Sequence, residues 1–202
     1  MPLPQKNTEI ISDLKLWNQL IADDKAAFSA LFEKYLNPLV NYGKTLMPSH
    51  EKVKDCVQDV FVDIWLYRHS LSDEVVVKAY LFSSVRKRIA RLYERDRIFR
   101  QTTPLEDLEF SLKFSIEHSM INDETLELEV RQLNQLLNTL PPRQKETLYL
   151  RYHQGLSLEQ IAEVLEINHQ SVKNLLHRAI LHLRKEWKGS ISLLLIGGYL
   201  AL

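Results

Sequence analysis

The sequence predicts an all-α protein with two helical domains joined by an acidic linker, the second of them a helix-turn-helix domain. Apolar residues recur at intervals of three and four along nearly the whole chain, the period of helices with one buried face. No stretch of alternating polarity is long enough to require a strand. The helical rhythm is lost at 101–123, so we expect domains at 1–100 and 124–188, that linker between them, and an apolar tail at 189–202.

The composition limits the class of protein. The chain has 202 residues, of which 45% are hydrophobic, enough to bury a core in one or two domains. A single cysteine, Cys56, excludes an internal disulfide and most zinc frameworks. The first residues lack the basic start and apolar stretch of a secretory signal. We therefore expect a cytoplasmic protein.

The formal net charge of +0 conceals a strong charge asymmetry along the chain. Residues 84–103 carry a net charge of +5, residues 104–129 carry −7, and residues 130–202 carry +4. Such separate basic segments are typical of proteins that contact a polyanion, although they also occur as ordinary solvated helix faces. Because the total is neutral, we expect the free chain to bind DNA weakly.

Three helices are predicted in the first domain. An apolar stripe from Phe28 to Val40 follows the capping candidates Asp23 and Asp24, and Pro38 should kink or divide this helix. A second helix starts at Ser49 and buries Val53, Val57, Val60, Phe61 and Ile64. A third starts near Ser72, with Asp73 and Glu74 at the positive end of its dipole.

The second domain shows clear helix boundaries. A helix from Glu124 ends at Pro141-Pro142, and the second proline suits the first position of the next helix. Gly155 marks a turn, and Ser157 with Gln160 has the spacing of a capping box for a short helix through Leu165. A final helix runs from about Asn168 to Lys188.

Residues 157–187 have the pattern of a helix-turn-helix. The last helix buries Val172, Leu176 and Ala179 on one side, and its other side carries side chains that bind phosphates and base edges. These are His169, Gln170, Ser171, Lys173, Asn174, His177 and Arg178. The pattern also fits a helical hairpin with an ordinary polar face. Glu166 stands in the turn where a glycine often supplies a left-handed backbone conformation, so the turn is either built differently or strained.

The apolar tail from Ile191 to Leu202 has 12 residues, whereas a membrane-spanning helix needs about 20. We therefore predict that the chain does not span a membrane. A lid over an apolar groove or a strap that binds a partner is favoured instead.

Several motifs resemble the sigma factors of bacterial RNA polymerase, the sigma-70 family. Leu140–Tyr152 (LPPRQKETLYLRY), Gly155–Leu165 (GLSLEQIAEVL), Ser171–Lys173 and His177–Ala179 are similar to its promoter-reading carboxy-terminal domain. Phe28–Tyr35 (FSALFEKY), Asp55–Trp65 (DCVQDVFVDIW) and Ala79–Arg86 (AYLFSSVR) are similar to its polymerase-binding and promoter-opening regions. The short linker is typical of the extracytoplasmic-function (ECF) subgroup.

The resemblance implies that core RNA polymerase and promoter DNA are the partners. It assigns polymerase binding to the outer face of the second helix, at Asp55, Gln58, Asp59, Val62 and Asp63. Their spacing alone favours a solvated acidic face, and only the resemblance favours docking. The resemblance further implies that the acidic linker lies in the RNA-exit region of the polymerase, and an anti-sigma factor is a further candidate partner. The resemblance leaves the apolar tail unexplained, and we hypothesise that the tail packs on a domain or on the anti-sigma factor.

DNA contacts are also implied by the resemblance. It assigns opening of the minus-10 element to the third predicted helix and the loop before it. The residues are Arg68, His69, Ser70, Arg86, Lys87, Arg88, Arg91 and Arg95. Their aromatic neighbours are Tyr80, Phe82 and Tyr93. The loop from Arg68 to Asp73 holds a flipped base in relatives. Lys87 replaces an asparagine that is frequent in the family, which affects base preference. Reading of the minus-35 element falls to Arg151 and the seven outward residues between His169 and Arg178.

Other function classes have little support. Asp55 and Asp59 could be paired carboxylates, but no candidate acid, metal-ligand set or phosphate loop accompanies them, so no catalytic residue, cofactor or small-molecule substrate is expected. Cys56 with His50 offers too few ligands for a metal site, and a buried thiol is the favoured interpretation. The main alternative function is a stand-alone helix-turn-helix regulator that acts without polymerase.

Overall fold

The structure, a computed structural model, describes residues 5–100 and 124–187. Every regular element within these two ranges is helical, which confirms the all-α prediction. The contacts between helices separate the chain into two compact units. The predicted linker at 101–123 and tail at 189–202 lie outside the described residues, and the domain boundaries stay predictions.

Four α-helices and one short turn form the first unit. They are α1 (Gln5–Ile21), α2 (Lys25–Leu46), α3 (His50–Leu66), a 3₁₀ turn (Arg68–Ser70) and α4 (Val77–Arg100). Helices α2 and α4 each contact the three other helices of the unit. All five residues that were predicted to be buried on α3 are buried, each at most 5% exposed.

Helix α1 was not predicted from the sequence. It buries Trp17 and Leu20, and its Asp13 is also buried, with 4% exposure. Asp13 accepts a hydrogen bond from Lys34 Nζ at 2.7 Å and another from the hydroxyl of Tyr35, both on α2. A buried carboxylate needs such partners. The partners lie 21 and 22 residues away in sequence, so no local pattern indicates them.

Two boundary predictions for the first unit are corrected. Helix α4 begins at Val77, not near Ser72, because the Ser72 carbonyl accepts a hydrogen bond from Trp17 Nε1 (2.9 Å) and its hydroxyl accepts one from the Glu74 amide. Asp73 and Glu74 thus precede the helix. Of the two effects predicted for Pro38, division of α2 is wrong, because the helix continues to Leu46 with Leu39 and Val40 buried beyond the proline. The kink stays a prediction.

The second unit contains α5 (Glu124–Asn138), α6 (Pro142–Leu148), a π-helical turn (Tyr149–His153), α7 (Leu158–Leu165) and α8 (His169–Glu186). The predicted helix start at Pro142 is confirmed, and α8 begins after the cap Asn168. The residues before Glu124 lie outside the described ranges, so the predicted start of α5 stays a prediction. Helix α8 packs against α5 and α6. The hydroxyl of Thr139 lies 2.9 Å from His182 Nε2 and joins the end of α5 to α8.

Gly43 permits the close approach of three helices in the first unit. A Cβ atom at this position would lie 2.5 Å from Val53 Cγ1 on α3 and 3.1 Å from Ile89 Cδ1 on α4. Both neighbours are fully buried, and valine is restricted to few rotamers. The packing of α3 and α4 on α2 therefore requires a glycine here.

We expect Gly43→Ala to lower the free energy of unfolding by about 1–2 kcal/mol, because overpacking outweighs the better helix propensity of alanine. Urea denaturation followed by circular dichroism measures this change. In a Val53→Ala background the penalty should largely disappear, since the clashing methyl is gone. A Gly43→Ala protein that is more stable than the parent would contradict this packing.

Candidate nucleic-acid and protein interfaces

The outer face of α3 carries the five residues predicted to bind a partner. Asp55 and Gln58 are exposed, and the side chains of Asp59 and Asp63 keep 55% and 48% of their accessible surface. Val62 lies between them and is 53% exposed. The face thus combines carboxylates with an apolar centre, as predicted.

Two further apolar residues extend this face and were missed in the sequence. Leu66 and Tyr67 are each 62% exposed, at the end of α3 and just after it. Leu66 follows Val62 by four residues, so the helical period was a signal that could have found it. Clustered exposed apolar side chains are characteristic of interaction surfaces.

Arg88 lies against this acidic face, although it was predicted to contact DNA. Its NH2 donates to Asp59 Oδ2 and its NH1 to Asp63 Oδ2, both at 2.8 Å. The hydrogen bond to Asp59 is the main reason that the pKa of Arg88 is raised. The structure therefore brings together one residue of the predicted DNA set and two of the predicted polymerase set.

Three of the other predicted DNA-binding residues on α4 form a stripe. Lys87, Arg91 and Arg95 recur every four residues and are all exposed, whereas Arg86 is half-buried. Such a row of cations can neutralise consecutive phosphates. We call Lys87, Arg91 and Arg95 the α4 basic stripe.

The three aromatic neighbours of this stripe have different environments. Phe82 is fully buried, with its ring 5.1 Å from that of Tyr42, so it belongs to the core. Tyr80 is half-buried with its ring edge on Trp17, and burial raises its pKa. Tyr93 is 38% exposed. Of the three, Tyr93 has the most accessible ring for stacking on a base.

The 3₁₀ turn holds Arg68, His69 and Ser70. His69 and Ser70 are exposed, and the Ser70 hydroxyl donates to the Tyr67 carbonyl at 2.8 Å. The Arg68 side chain is only 20% exposed, because it donates to the Trp65 carbonyl and to the carboxylate of Asp23. Its guanidinium also lies over the Trp65 ring, 4.3 Å from the centroid.

Local hydrogen bonds build the helix-turn-helix as predicted. The Ser157 amide donates to Gln160 Oε1 (2.8 Å), and the Gln160 amide donates to Ser157 Oγ (3.2 Å), which is a complete capping box. The side chain of Asn168 accepts from the Ser171 amide at the start of α8. Glu166 adopts φ +54°, so the turn keeps the left-handed conformation without a glycine.

The predicted reading face of α8 faces outward. Gln170, Lys173, Asn174, His177 and Arg178 are exposed, and His169 and Ser171 are half-buried. Gln170 Nε2 donates to Asn174 Oδ1 (3.1 Å). His169 Nε2 lies 3.0 Å from Glu159 Oε1 on α7. The face therefore presents amides and cations at a single helix surface, a composition suited to the major groove.

Arg151 belongs to the π-helical turn and not to α8. Its NH1 donates to the Leu156 carbonyl at 2.9 Å, so part of its guanidinium is used within the protein. The same turn is stabilised by a buried hydrogen bond from Gln154 Nε2 to the Tyr149 hydroxyl. Burial raises the pKa of Tyr149 to about 12.

No group of metal-binding side chains occurs in the described ranges. Cys56 is buried, and that burial raises the pKa of its thiol. Among the helices of residues 5–100 and 124–187, none is long and apolar enough to cross a membrane.

Comparison with known proteins yields two family matches. The family described as "Sigma-70 region 2" matches residues 31–98, and "Sigma-70, region 4" matches residues 130–183. The sigma factor YlaC of Bacillus subtilis is 27% identical over 155 residues, covering 77% of this chain and 88% of YlaC. The ECF sigma factor SigX of the same organism is 22% identical, covering 78% of this chain and 82% of SigX.

Solved structures of similar fold include CnrH bound to the cytosolic domain of CnrY, with a TM-score of 0.58 and 20% identity, covering 86% of this chain and 95% of CnrH. The sigma factor RpoE bound to the anti-sigma factor NepR, from Bartonella quintana, gives a TM-score of 0.58 and 21% identity. That match covers 78% of this chain and 94% of RpoE.

The left-handed turn of the helix-turn-helix generates a stability prediction. We expect Glu166→Gly to be more stable than Glu166→Ala by about 1 kcal/mol, because alanine pays the steric cost of positive φ. Because both variants lose the glutamate side chain, the difference between them measures the cost of positive φ at a residue that has a Cβ atom. Thermal denaturation gives the difference. An alanine variant at least as stable as the glycine variant would argue against the left-handed conformation.

Proposed function

Because this chain belongs to the sigma-70 family of bacterial RNA polymerase sigma factors, in its ECF subgroup, we propose that it binds core RNA polymerase and directs promoter-specific transcription initiation. One observation carries the proposal. Regions 2 and 4 of the family both occur, in the family's order, region 2 at residues 31–98 and region 4 at residues 130–183. A stand-alone helix-turn-helix regulator would need only the second of these, so that alternative is not favoured.

Core polymerase binds the outer face of α3 in this proposal. The exposed carboxylates at Asp55, Asp59 and Asp63 suit a basic partner helix, and Val62 and Leu66 supply the apolar centre that such interfaces need. Arg88 forms ion pairs with two of these carboxylates, Asp59 and Asp63, so we place it in the docking surface as well as in the DNA surface.

The first unit opens the minus-10 element in this proposal. The α4 basic stripe attracts the phosphates, and the loop that begins with the 3₁₀ turn holds a flipped base. Tyr93 is the aromatic neighbour whose ring is most accessible to such a base. Lys87 cannot form the bidentate base contacts of the asparagine frequent in relatives, so base preference at this element differs from theirs.

The second unit reads the minus-35 element through α8. Gln170, Ser171 and Asn174 are placed for base edges, and Lys173 and Arg178 for phosphates. Arg151 contacts the phosphate backbone from the π-helical turn with the part of its guanidinium that Leu156 does not use.

As a sigma factor the chain acts by binding and not as an enzyme, and we place it in the cytoplasm, where the polymerase is. An anti-sigma factor is a further partner in this proposal, because the similar RpoE is held by one. The neutral total charge means that the free chain binds DNA weakly, and that polymerase supplies the remaining affinity.

Reconstitution with core RNA polymerase tests the proposal directly. The full chain should bind core enzyme on gel filtration and produce promoter-dependent transcripts from a library of bacterial promoters. A chain that binds DNA but no core enzyme would support the stand-alone regulator instead.

We expect Val62→Asp to weaken core binding by about tenfold or more, because a charge would be buried at the centre of the interface. Val62 is 53% exposed, so folding should be unaffected. Leu181→Asp is the matched control, since Leu181 is 50% exposed on α8 and lies outside the proposed docking face. Equal losses in both variants, measured by fluorescence anisotropy, would contradict the assignment of this face.

Replacing Lys173 and Arg178 by alanine should weaken minus-35 binding of the assembled complex. The slope of the logarithm of the DNA-binding constant against the logarithm of the salt concentration should fall in magnitude by about two, because two phosphate contacts are lost. Core binding should be unchanged. Arg184→Ala with Lys185→Ala removes the same charge from the last turn of α8 and serves as the control. If core binding falls together with DNA binding, the division of labour between the units is wrong.

A further inference from the structure

Helix α1 and the turn that follows it have no assigned role. The match to sigma-70 region 2 begins at residue 31, after α1 has ended at Ile21 and after the turn at 22–24. Yet α1 contacts the 3₁₀ turn as well as α2 and α4. The loop from Arg68 to Asp73, which the proposed function makes the base-holding loop, is therefore contacted by a helix that precedes the match to region 2.

The first contact joins Asp23 to the start of that loop. The Asp23 carboxylate accepts a hydrogen bond from Arg68 Nε, and the same carboxylate oxygen lies 3.4 Å from His69 Nε2. The Arg68 side chain is held on its other side by the carbonyl and ring of Trp65. Arg68 is thus fixed between two elements, and this pairing also lowers the pKa of Asp23.

The backbone at Asp23 points to the same role. Asp23 adopts φ +71°, a conformation that few residues other than glycine tolerate, aspartate and asparagine among them. The positive φ at Asp23 costs conformational energy, and the carboxylate at this strained position is the one that reaches the loop. The neighbouring Asp24 has a different role, since its side chain accepts from the amides of Ala26 and Ala27 and caps α2.

The second contact joins Trp17 to the other end of the loop. Trp17 is 1% exposed, and its Nε1 donates to the Ser72 carbonyl at 2.9 Å. This bond keeps Ser72 out of α4. Between the two contacts the loop has bonds of its own, from the Ser70 amide to the Tyr67 carbonyl and from the Leu71 amide to the Arg68 carbonyl. The loop is consequently held at both ends and closed on itself in the middle.

We propose that Asp23 and Trp17 are positioning residues that hold the base-holding loop in one conformation before DNA arrives. This inference rests on the proposed function. A loop held in advance loses less conformational entropy on binding and discriminates better between bases, because a wrong base cannot be accommodated by loop movement. In this arrangement Arg68 holds the loop and does not contact phosphate.

Asp23→Asn is the sharpest variant, because asparagine tolerates positive φ and only the charge is removed. The test uses holoenzyme and a promoter library with both the minus-10 and the minus-35 elements randomised. Transcripts are sequenced to give the base preference at each position. We expect the preference at the flipped position to fall by about threefold, the size of one exposed ion pair, while the minus-35 preferences are unchanged.

Asp24→Asn is the matched control, since asparagine still caps a helix. Its preferences should equal those of the parent. An unchanged minus-10 preference in Asp23→Asn would overturn the inference. The inference would also be overturned if Asp23→Asn weakened the base preferences at both elements and core binding together, because that result would indicate a merely structural role. Failure of the parent chain to give any promoter-dependent transcript would instead remove the proposed function, and the inference with it.

Hydrogen exchange in the free full chain provides a second readout that needs no promoter. The amides of Ser70 and Leu71 should exchange several-fold faster in Asp23→Asn and in Trp17→Phe, which keeps an aromatic ring but loses the N–H donor. Amides in the middle of α3 should exchange at the parent rate. Unchanged exchange at Ser70 and Leu71 in both variants would overturn the inference.

Discussion

The packing of α3 and α4 on α2 is the constraint on which the first unit depends. The three helices approach so closely at Gly43 that a methyl group cannot be accommodated, and this approach buries the apolar sides of both outer helices. The opposite sides are then the only ones available to partners. On α3 that side carries carboxylates around Val62, and on α4 it carries a row of cations. The helical period of α3 and α4 therefore places the core residues on one side of each helix and the proposed interface residues on the other.

Ion pairs within the chain engage some of the cations that were predicted to contact DNA. Arg88 is engaged by Asp59 and Asp63, and Arg68 by Asp23. Exposed pairs of this kind contribute little to stability, but they fix the side-chain direction and cancel charge at a distance. Part of the charge balance in the sequence therefore comes from opposite charges that neutralise one another in local ion pairs. The α4 basic stripe and the outward face of α8 retain exposed cations.

Features encoded by local sequence were the ones that could be predicted. The buried side of α3, the capping box at Ser157 and Gln160, and the proline start of α6 each depend on residues a few positions apart. The exposure of the proposed interface residues on α3 and α8 was predictable on the same ground, since a helix face follows from its period. Contacts between distant segments were not. The role of Arg88, the start of α4 and the whole of α1 depend on partners more than twenty residues away, which no local pattern reveals.

The central claim is that one chain contacts polymerase through α3 and promoter DNA through α4 and α8 at the same time. Site-specific photocrosslinking in an assembled promoter complex tests it most directly, with a photoreactive residue placed in turn at Val62, Arg91 and Asn174. We predict that position 62 crosslinks to a polymerase subunit, position 91 to the minus-10 DNA and position 174 to the minus-35 DNA. Crosslinking of position 62 to DNA, or of position 174 to polymerase alone, would contradict it.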